Sequence, residues 1–423
     1  MRPMMLMLLL CSLSRVASAA DDDSKADSSV VQAAASALQP LSTLPVVLPT
    51  AKWTGQFQTD SVAFVQDEAS RARYSLFPNG AAFRRARIGL FGEYGAMDYR
   101  IEVDFALPGR PSFLDVYLRV VDVPYLGRVR VGHFFEPYSL ERITANRFVT
   151  FLERTSIDQA FVPARNLGVM ASNNDAEERV STAVGLFRQD SDRFGDAAGN
   201  RFESALTGRV TGLPYYEADG ERLLHLGLGY SFRGPNDGRV QFRAQPELRL
   251  GSTNPNVPFL VDTGFIAADF YQLIGPEVAA VWGPVSFQSE ASVVPVRGRN
   301  RDYLFYGWYA ELACFLTGEH RLYLKNNGTF GRVTPKADFF GANKSGGITG
   351  PGAVQVAFRI SQLDLTNENI RGGRLTELTG GANWHLNAFT RIQANYVLAR
   401  TDRQARGEPT VSHGFGLRLG FEF

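Results

Sequence analysis

The chain has 423 residues, of which 44% are hydrophobic and 21% charged, and its formal net charge is +1. This balanced charge gives no sign of nucleic-acid binding, and the length accommodates two ordinary domains or one large barrel. Aromatic residues make up 12% of the chain, and there are 41 glycines but only 2 cysteines. Such a composition is typical of many strands joined by turns.

The N-terminus is predicted to be a targeting segment. Arg2 provides a positive charge, Met4 to Leu10 is apolar, and Ala17-Ser18-Ala19 is a small-x-small cleavage signal. We therefore expect residues 1–19 to be a signal peptide. Residues 20–50 are first acidic and Ser-rich, then Ala-rich and interrupted by prolines. We expect them to form a flexible periplasmic linker, with a plain disordered tail as the alternative.

Residues 51–423 are predicted to consist of two-faced strands. Between Asp98 and Phe105, apolar side chains alternate strictly with charged ones. Successive side chains of a strand point to opposite sides, so one face of this strand is apolar and the other charged. The same alternation recurs in residues 85–94, 114–120, 224–232, 354–361, 391–398 and 415–423.

Two-faced strands in this number must close on themselves or leave an adhesive edge. Closure is obligatory in a membrane, because unpaired backbone groups in hydrocarbon are costly. About 17 or 18 segments read as strands, whereas single-chain bacterial barrels have an even number. Val240 to Leu250 is the suspect segment, because Pro246 interrupts it. We predict an all-β fold, a transmembrane antiparallel β-barrel of 16 strands over residues 51–423, with 18 strands as the alternative. The last strand ends on the aromatic Phe423, as outer-membrane barrels do.

The alternation fails between Phe134 and Arg165. This segment is too long for a hairpin turn and too apolar for disorder. The wall of the lumen is the surface available to it, so we predict a long third loop folded into the lumen. Its charges balance, and they are predicted either to pin the loop to the wall or to contact the solute. They are Arg142, Arg147, Arg154 and Arg165, with Glu136, Glu141, Glu153 and Asp158.

Seven short stretches resemble stretches of one protein family and follow each other in the order that the family shows. They are RRARIGLFGEYGAMDYRIEVDF (84–105), VRVGHFFEPYSLE (129–141), TFLER (150–154), GPVSFQSE (283–290), FLTGEHRLY (315–323), AFRISQLDL (357–365) and GGANWHLNAFTRIQANYV (380–397). In these stretches the sequence resembles the phosphate-selective porin O and P family. The resemblance implies a 16-stranded barrel in outer-membrane lipid, usually a homotrimer, that conducts anions along basic side chains.

Rings of basic side chains select anions, and the planar fork of arginine grips phosphate at two points. The resemblance thus points to arginines on the polar faces of the early strands and in the third loop as the anion path. They are Arg85, Arg87, Arg100, Arg119, Arg128, Arg130, Arg142, Arg147 and Arg154. The alternative for each is a wall residue paired with a carboxylate. Five further arginines extend the set: Arg243, Arg249, Arg359, Arg391 and Arg418.

The lysines depart from the family pattern. Phosphate-selective members place lysines near the constriction, whereas the five lysines here lie outside the third loop. They are Lys25, Lys52, Lys325, Lys336 and Lys344. The predicted function is passive diffusion of small solutes through a water-filled pore, with anions such as phosphate as the expected solute. A general porin with little charge preference and a structural barrel without transport are the alternatives.

No catalytic, cofactor or metal motif is recognised, so the chain is predicted not to be an enzyme and to bind no cofactor. The histidines are scattered over separate strands, without metal-ligand spacing or a nucleophile elbow. They are His133, His225, His320, His385 and His413. The sequences Gly227-x-Gly229 and Gly414-x-Gly416 lie inside alternating strands, where glycine serves bending or packing. Cys314 is interpreted as a packed strand residue.

Overall fold

The computed structural model describes residues 48–107, 109–189, 194, 204–235, 237–252, 256–340, 347–404 and 408–423. The expected signal peptide and nearly all of the expected linker lie outside these residues. The described barrel domain begins at Pro49.

Sixteen antiparallel strands form a closed barrel, because β1 pairs with both β2 and β16. The strands are β1 Lys52–Gln66, β2 Gly80–Tyr94, β3 Met97–Asp104, β4 Ser112–Val123, β5 Gly127–Phe135, β6 Arg165–Asn174, β7 Val180–Arg188, β8 Ser204–Glu217, β9 Arg222–Arg233, β10 Ile266–Trp282, β11 Val285–Gly298, β12 Tyr303–Phe315, β13 Ala353–Asn367, β14 Ile370–His385, β15 Thr390–Gln404 and β16 Thr410–Glu422. Neighbours in the chain are neighbours in the sheet. The prediction of 16 strands is confirmed, and the alternative of 18 is wrong.

Most connections at the barrel end that holds Lys52 and Glu422 are tight turns. The exception is loop 316–352, between β12 and β13. The opposite end carries the long loops 136–164, between β5 and β6, and 234–265, between β9 and β10. Both ends of the barrel therefore carry long loops.

The helices are short and lie in these connections. They are α1 Glu68–Tyr74, α2 Leu140–Ile143 and α3 Ser156–Ala160, with 3₁₀ turns at Ala218–Gly220 and Lys325–Asn327. Ser139 caps α2 and Thr155 caps α3, each through its hydroxyl oxygen. Two-residue strands complete the connections: Arg239–Val240, Arg243–Ala244, Val261–Asp262, Tyr323–Leu324 and Thr329–Phe330. Among the described residues, no helix is both long and apolar enough to span a membrane.

The two faces of the barrel wall differ in polarity as the alternation predicts. On β1, Trp53 and Phe57 are exposed on the outside, whereas Gln56, Gln58 and Asp60 are buried on the inside. The outer face of the other strands is likewise apolar. Its exposed residues include Ile101, Leu118, Val131, Leu186, Leu228, Leu312, Phe358 and Leu417. An apolar outside and a polar inside are the arrangement expected of a barrel surrounded by lipid.

The inner face becomes apolar at the end that carries loop 234–265. Phe305, Leu363 and Leu375 point inward there and form one buried cluster with Phe242 and Leu248 of the loop. The alternation in Val240 to Leu250 is therefore that of a loop packed on the wall. It is not a barrel strand, as the internal proline indicated.

Candidate functional site

Loop 136–164 is tied to inward-pointing side chains on many strands. Near its start, Glu136 accepts from Arg233 of β9 at 2.7 Å. The backbone N–H of Leu140 donates to Glu277 of β10 at 2.8 Å and to Glu290 of β11 at 3.0 Å. The loop is thereby hydrogen-bonded to strands that are not neighbours of its own strands in the sheet.

The middle of the same loop reaches strands near the end of the chain. Asn383 of β14 donates to the carbonyl oxygen of Thr150 at 2.9 Å. Arg418 of β16 donates to the carbonyl oxygen of Leu152 at 2.6 Å. Main-chain groups that the loop cannot pair internally are thus paired by the wall, as buried polar groups must be.

Strand glycines make room for residues of the long loops. A Cβ on Gly229 would overlap the carbonyl oxygen of Tyr138, and one on Gly275 would lie 2.8 Å from the Tyr138 ring. A Cβ on Gly414 or Gly416 would lie 2.6 Å from the side chain of Leu248. The glycines predicted to serve packing at 227–229 and 414–416 therefore include the seats of two loop side chains.

Glu153 joins three arginines from separate parts of the chain. Its carboxylate accepts from Arg84 of β2 at 2.7 Å, from Arg249 of loop 234–265 at 2.7 Å, and from Arg418 of β16 at 3.1 Å. Burial opposes its ionisation, but the attraction of Arg84 and Arg249 outweighs burial and holds the pKa of Glu153 well below its usual range. The negative charge of Glu153 is therefore neutralised by arginines of the protein itself.

Glu141 has the opposite electrostatic character. It is buried on α2 and accepts from the Thr155 hydroxyl at 2.7 Å, while Arg359 approaches only to 3.5 Å. Burial, together with the nearby charge of Asp158, raises the pKa of Glu141 well above its ordinary value. These surroundings favour the neutral carboxyl over the carboxylate more than water does.

Arg154 serves as a backbone clamp. It donates to the carbonyl oxygens of Glu141 at 2.9 Å, Arg142 at 3.1 Å and Thr144 at 2.7 Å. Burial lowers the pKa of Arg154 to about 10. Its donors hold the α2 turn against the returning part of the loop.

Two recesses lie between loop 136–164 and the wall formed by β2 to β8. Recess A, of about 480 Å³, is lined by arginines such as Arg85, Arg87 and Arg142. Recess B, of about 270 Å³, is lined by Arg100, Arg119, Arg128, Arg130 and Arg209. Phe135 lines both recesses, so the two lie on either side of it.

Five of the nine predicted path arginines are paired with carboxylates. The pairs are Arg87 with Asp104 at 2.7 Å, Arg100 with Glu102 at 2.9 Å, Arg119 with Asp98 at 2.7 Å, Arg142 with Asp158 at 2.8 Å, and Arg147 with Glu422 at 3.6 Å. The contacts of these five arginines are those of the alternative prediction, in which each arginine pairs with a carboxylate.

The remaining four predicted arginines, Arg85, Arg128, Arg130 and Arg154, have no ion pair within the described part of the chain. Arg85 donates to Gln58 at 2.6 Å. Arg128 donates to Asn174 and to the carbonyl oxygen of Asn326. Arg130 lies over the Tyr117 ring at 4.4 Å. Eight of the nine line recess A or B; Arg147 lies instead in a smaller cavity of about 40 Å³.

The five further arginines of the predicted set also divide into arginines paired with a carboxylate and arginines with other contacts. Arg249, Arg359 and Arg418 pair with Glu153, Glu247 and Asp60. Arg243 instead stacks on Phe259, and Arg391 donates to the carbonyl oxygen of Val149. Only Arg243 and Arg249 of this group line recess A.

Sequence reasoning missed three arginines that line the recesses: Arg84, Arg165 as a wall residue, and Arg209. Arg165 pairs with Asp115 at 2.8 Å, and Arg209 pairs with Glu277. Arg209 was detectable from the alternation of β8. Arg84 was not, because a break in register between Gln58 and Thr59 places it opposite no β1 residue.

The histidines form no shared site. His225 is fully buried between Tyr323 and Glu277 and is a structural residue. His133 and His385 lie on separate strands. No cluster of three or more possible metal ligands is found among the described residues.

A closed 16-stranded barrel with an apolar outer face and an arginine-lined interior defines a bacterial outer-membrane porin. Residues 52–423 match the family described as phosphate-selective porin O and P. The chain belongs to that family, so its membership, its outer-membrane location and its porin class are confirmed. Proteins of this family and fold are typically channels and not enzymes.

Among sequence relatives, Porin O of Pseudomonas aeruginosa is 26% identical over 379 residues, covering 82% of this chain and 82% of that protein. An uncharacterized protein of Caulobacter vibrioides is 28% identical over 343 residues, covering 75% of this chain and 62% of that protein.

Solved structures share the fold at low identity. A loop L8 deletion mutant of OmpT from Vibrio cholerae aligns with a TM-score of 0.54 and 11% identity, covering 89% of this chain and 99% of that one. An anion-selective porin from Comamonas acidovorans aligns with a TM-score of 0.51 and 12% identity, covering 88% of this chain and all of that one. These likenesses concern the barrel alone.

Proposed function

We propose that this porin is a passive channel for small anions such as phosphate, and that the ions pass along the wall formed by β2 to β8. The observation that carries the proposal is the excess of arginine in the two recesses. Eight arginines and three acidic residues, Asp104, Glu153 and Asp158, line recess A. Five arginines and one acidic residue, Asp115, line recess B.

We propose further that loop 136–164 lies in the lumen and forms the constriction. Its hydrogen bonds to inward side chains of β9, β10, β11, β14 and β16 support this placement. These anchors lie away from β2 to β5, so the open space remains next to those strands. Phe135, which lines both recesses, is the proposed narrow point.

The nine arginines of the predicted path are proposed to act in two ways. Arg85, Arg128 and Arg130, which have no carboxylate partner among the residues that the structure describes, are proposed to contact the permeating anion. Arg87, Arg100, Arg119, Arg142 and Arg147 are proposed to shape the field while held by their acids. Arg154 is proposed to hold the loop, because its donors are taken by carbonyl oxygens.

A channel with little charge preference is the second candidate. The five ion pairs among the nine arginines favour it, because paired charges attract ions weakly at a distance. Phosphate as the solute is supported by the guanidinium groups, which bind phosphate at two points, and by the family. The absence of lysine from loop 136–164 argues for a weaker preference for phosphate.

Reversal potentials in planar bilayers test these candidates. We expect the potassium chloride reversal potential to indicate preference for chloride, and phosphate to carry current when it replaces chloride. A potential near zero would favour the general porin, and a cation-selective one would overturn the anion proposal. Complete absence of conductance would favour a structural barrel.

We propose that the protein assembles as a homotrimer, as its family implies. Chemical cross-linking in mild detergent, followed by native mass spectrometry, measures the assembly. A single species of one chain at all protein concentrations would refute the trimer.

A further inference from the structure

Recess B holds positive charge that its own carboxylates do not neutralise. Arg119 of β4 and Arg130 of β5 are direct cross-strand partners. Like charges in this relation destabilise a sheet. Asp98 pairs with Arg119 at 2.7 Å, but Arg130 has no ion pair in the part of the chain that the structure describes, and neither has Arg128. A bound anion would relieve the repulsion.

Two aromatic rings lie against the guanidinium of Arg130. The group lies 4.4 Å from the centre of the Tyr117 ring and 5.1 Å from that of Phe134. Its Nε is buried and has no hydrogen-bond partner among the described residues. Its terminal Nη atoms make no hydrogen bond within the same described residues, so these donors can bind the two oxygens of a carboxylate.

The wall beside these charges is apolar. Phe135, Pro137, Ile143 and Met170 line the recess, and Met170 is the direct cross-strand neighbour of Arg130 on β6. The recess measures about 270 Å³. An apolar protein cavity of about 150 Å³ is sufficient for benzene in a well-studied case. Recess B therefore has room for one ring with a carboxylate attached.

Loop 316–352 closes one side of the recess. The carbonyl oxygen of Asn326 accepts from Arg128 at 3.3 Å, and that of Gly328 accepts from Arg209 at 2.9 Å. A solute in the recess thus meets charged donors on the strands and a backbone turn beneath them.

We propose that recess B is a binding subsite for amphiphilic organic anions, that is, monocarboxylates with an aromatic or alicyclic body. The carboxylate is held by Arg128 and Arg130, and the body lies against Met170 and Ile143. The inference rests on the proposed anion channel and refines its substrate class. Inorganic phosphate has no apolar surface, so it gains nothing from this wall.

Two measurements on the purified full chain in detergent and bilayers test the proposal. Equilibrium dialysis measures binding of radiolabelled benzoate, with inorganic phosphate and neutral benzyl alcohol as competitors. Single-channel recording measures block of the chloride current by benzoate, by cyclohexanecarboxylate and by phosphate. We expect both carboxylates to block at lower concentration than phosphate, and benzyl alcohol to compete weakly.

Variants separate charge from apolar contact. Arg130→Gln should weaken the binding of benzoate by about tenfold, the effect of losing a charged hydrogen-bond partner. Met170→Gln should weaken benzoate by about fourfold, the contact of roughly one methylene, and leave phosphate unchanged. Arg297→Gln, at an exposed ion pair with Asp302, is the matched control and should change neither.

The outcomes distinguish the two levels of the proposal. Equal block by benzoate and phosphate, with no effect of Met170→Gln, would overturn the organic-anion subsite while an anion-selective reversal potential preserved the channel. If the parent protein showed no anion selectivity in bilayers but still bound benzoate in dialysis, the anion-channel proposal would be overturned and the subsite proposal would stand. Binding of benzoate that neither Arg130→Gln nor Met170→Gln changes would place the ligand elsewhere.

Discussion

Arg84 and Arg85 are consecutive on β2, yet both side chains lie inside the barrel. The Nε of Arg84 donates to Glu153 at 2.7 Å, and the Nη1 of Arg85 donates to Gln58 at 2.6 Å. The register between β1 and β2 shifts at this point, pairing Gln58 with Arg85 and Thr59 with Phe83. A bulge of this kind leaves one residue unpaired and re-aims its side chain. It places one neutralised and one unneutralised guanidinium side by side in recess A.

Replacement of Arg85 with Gln should reduce anion preference without loosening the fold. Arg85 has no carboxylate partner among the described residues, so the change removes a charge from the path and leaves no acid unpaired. We expect the chloride-to-potassium permeability ratio to fall severalfold, with the melting temperature nearly unchanged. Reversal potentials and thermal unfolding in detergent measure the two effects. An unchanged ratio would remove Arg85 from the anion path.

Replacement of Glu153 with Gln should destabilise the protein and raise its anion preference. The change leaves Arg84, Arg249 and Arg418 without their shared carboxylate, and loss of one partner from a buried pair costs about 3–5 kcal/mol. We expect a lower temperature of unfolding on detergent gels together with a larger permeability ratio for chloride.

Glu177→Gln is the control for Glu153→Gln, because Glu177 pairs with Arg179 on an exposed turn. It should change neither stability nor selectivity. A Glu153→Gln protein as stable as the parent would show that the three arginines do not depend on this carboxylate.

The alternation of side chains was sufficient to predict the barrel and its polarity. In the strand from Asp98 to Phe105, Ile101 and Phe105 are exposed on the outside and Asp104 is buried on the inside. Strand count followed from an even-number rule and from Pro246, since a residue without an N–H cannot complete a central ladder. These features depend on local sequence alone.

Residue-level features of the site depend on bulges and on distant contacts, which strict alternation cannot show. In the alternating stretch 114–120, the pattern predicts Leu114 on the apolar outer face, yet Leu114 lines recess A, close to the point where the register between β3 and β4 shifts. The division between paired and unpaired arginines required the positions of carboxylates on other strands. The contacts of loop 316–352 with inward-pointing arginines of the wall had no signal in the sequence.

Stability should depend on pH through Glu141. Its pKa is raised in the folded protein, chiefly by burial and then by Asp158. A group with a raised folded pKa contributes stability that is complete below its ordinary value of 4.5 and is lost as the pH rises through the raised pKa. We therefore expect resistance to urea in detergent to fall as the pH rises above the ordinary value of 4.5.

Replacement of Glu141 with Gln should flatten this pH dependence. Gln stays neutral and keeps an oxygen that accepts from Thr155, so stability at mildly acidic pH should be close to that of the parent. Urea titrations of both proteins across the pH range measure the difference. A parallel decline of stability with rising pH in both proteins would assign the effect to another group.

Replacement of Arg154 with Met should loosen loop 136–164 without changing selectivity. The side chain keeps most of its apolar stem, but the carbonyl oxygens of Glu141, Arg142 and Thr144 lose their donor, and each unsatisfied buried group costs about 1–3 kcal/mol. A loop freed at these points moves against the wall, so we expect noisier open-channel current and faster cleavage by trypsin at Arg142 or Arg147.

Arg154→Lys is the matched control, since one ammonium can still reach a carbonyl and should restore part of the resistance to trypsin. Because all of the observed hydrogen bonds of Arg154 go to backbone oxygens, the chloride-to-potassium ratio should not change. A fall in that ratio with quiet current would mean that Arg154 serves the permeating anion and not the loop.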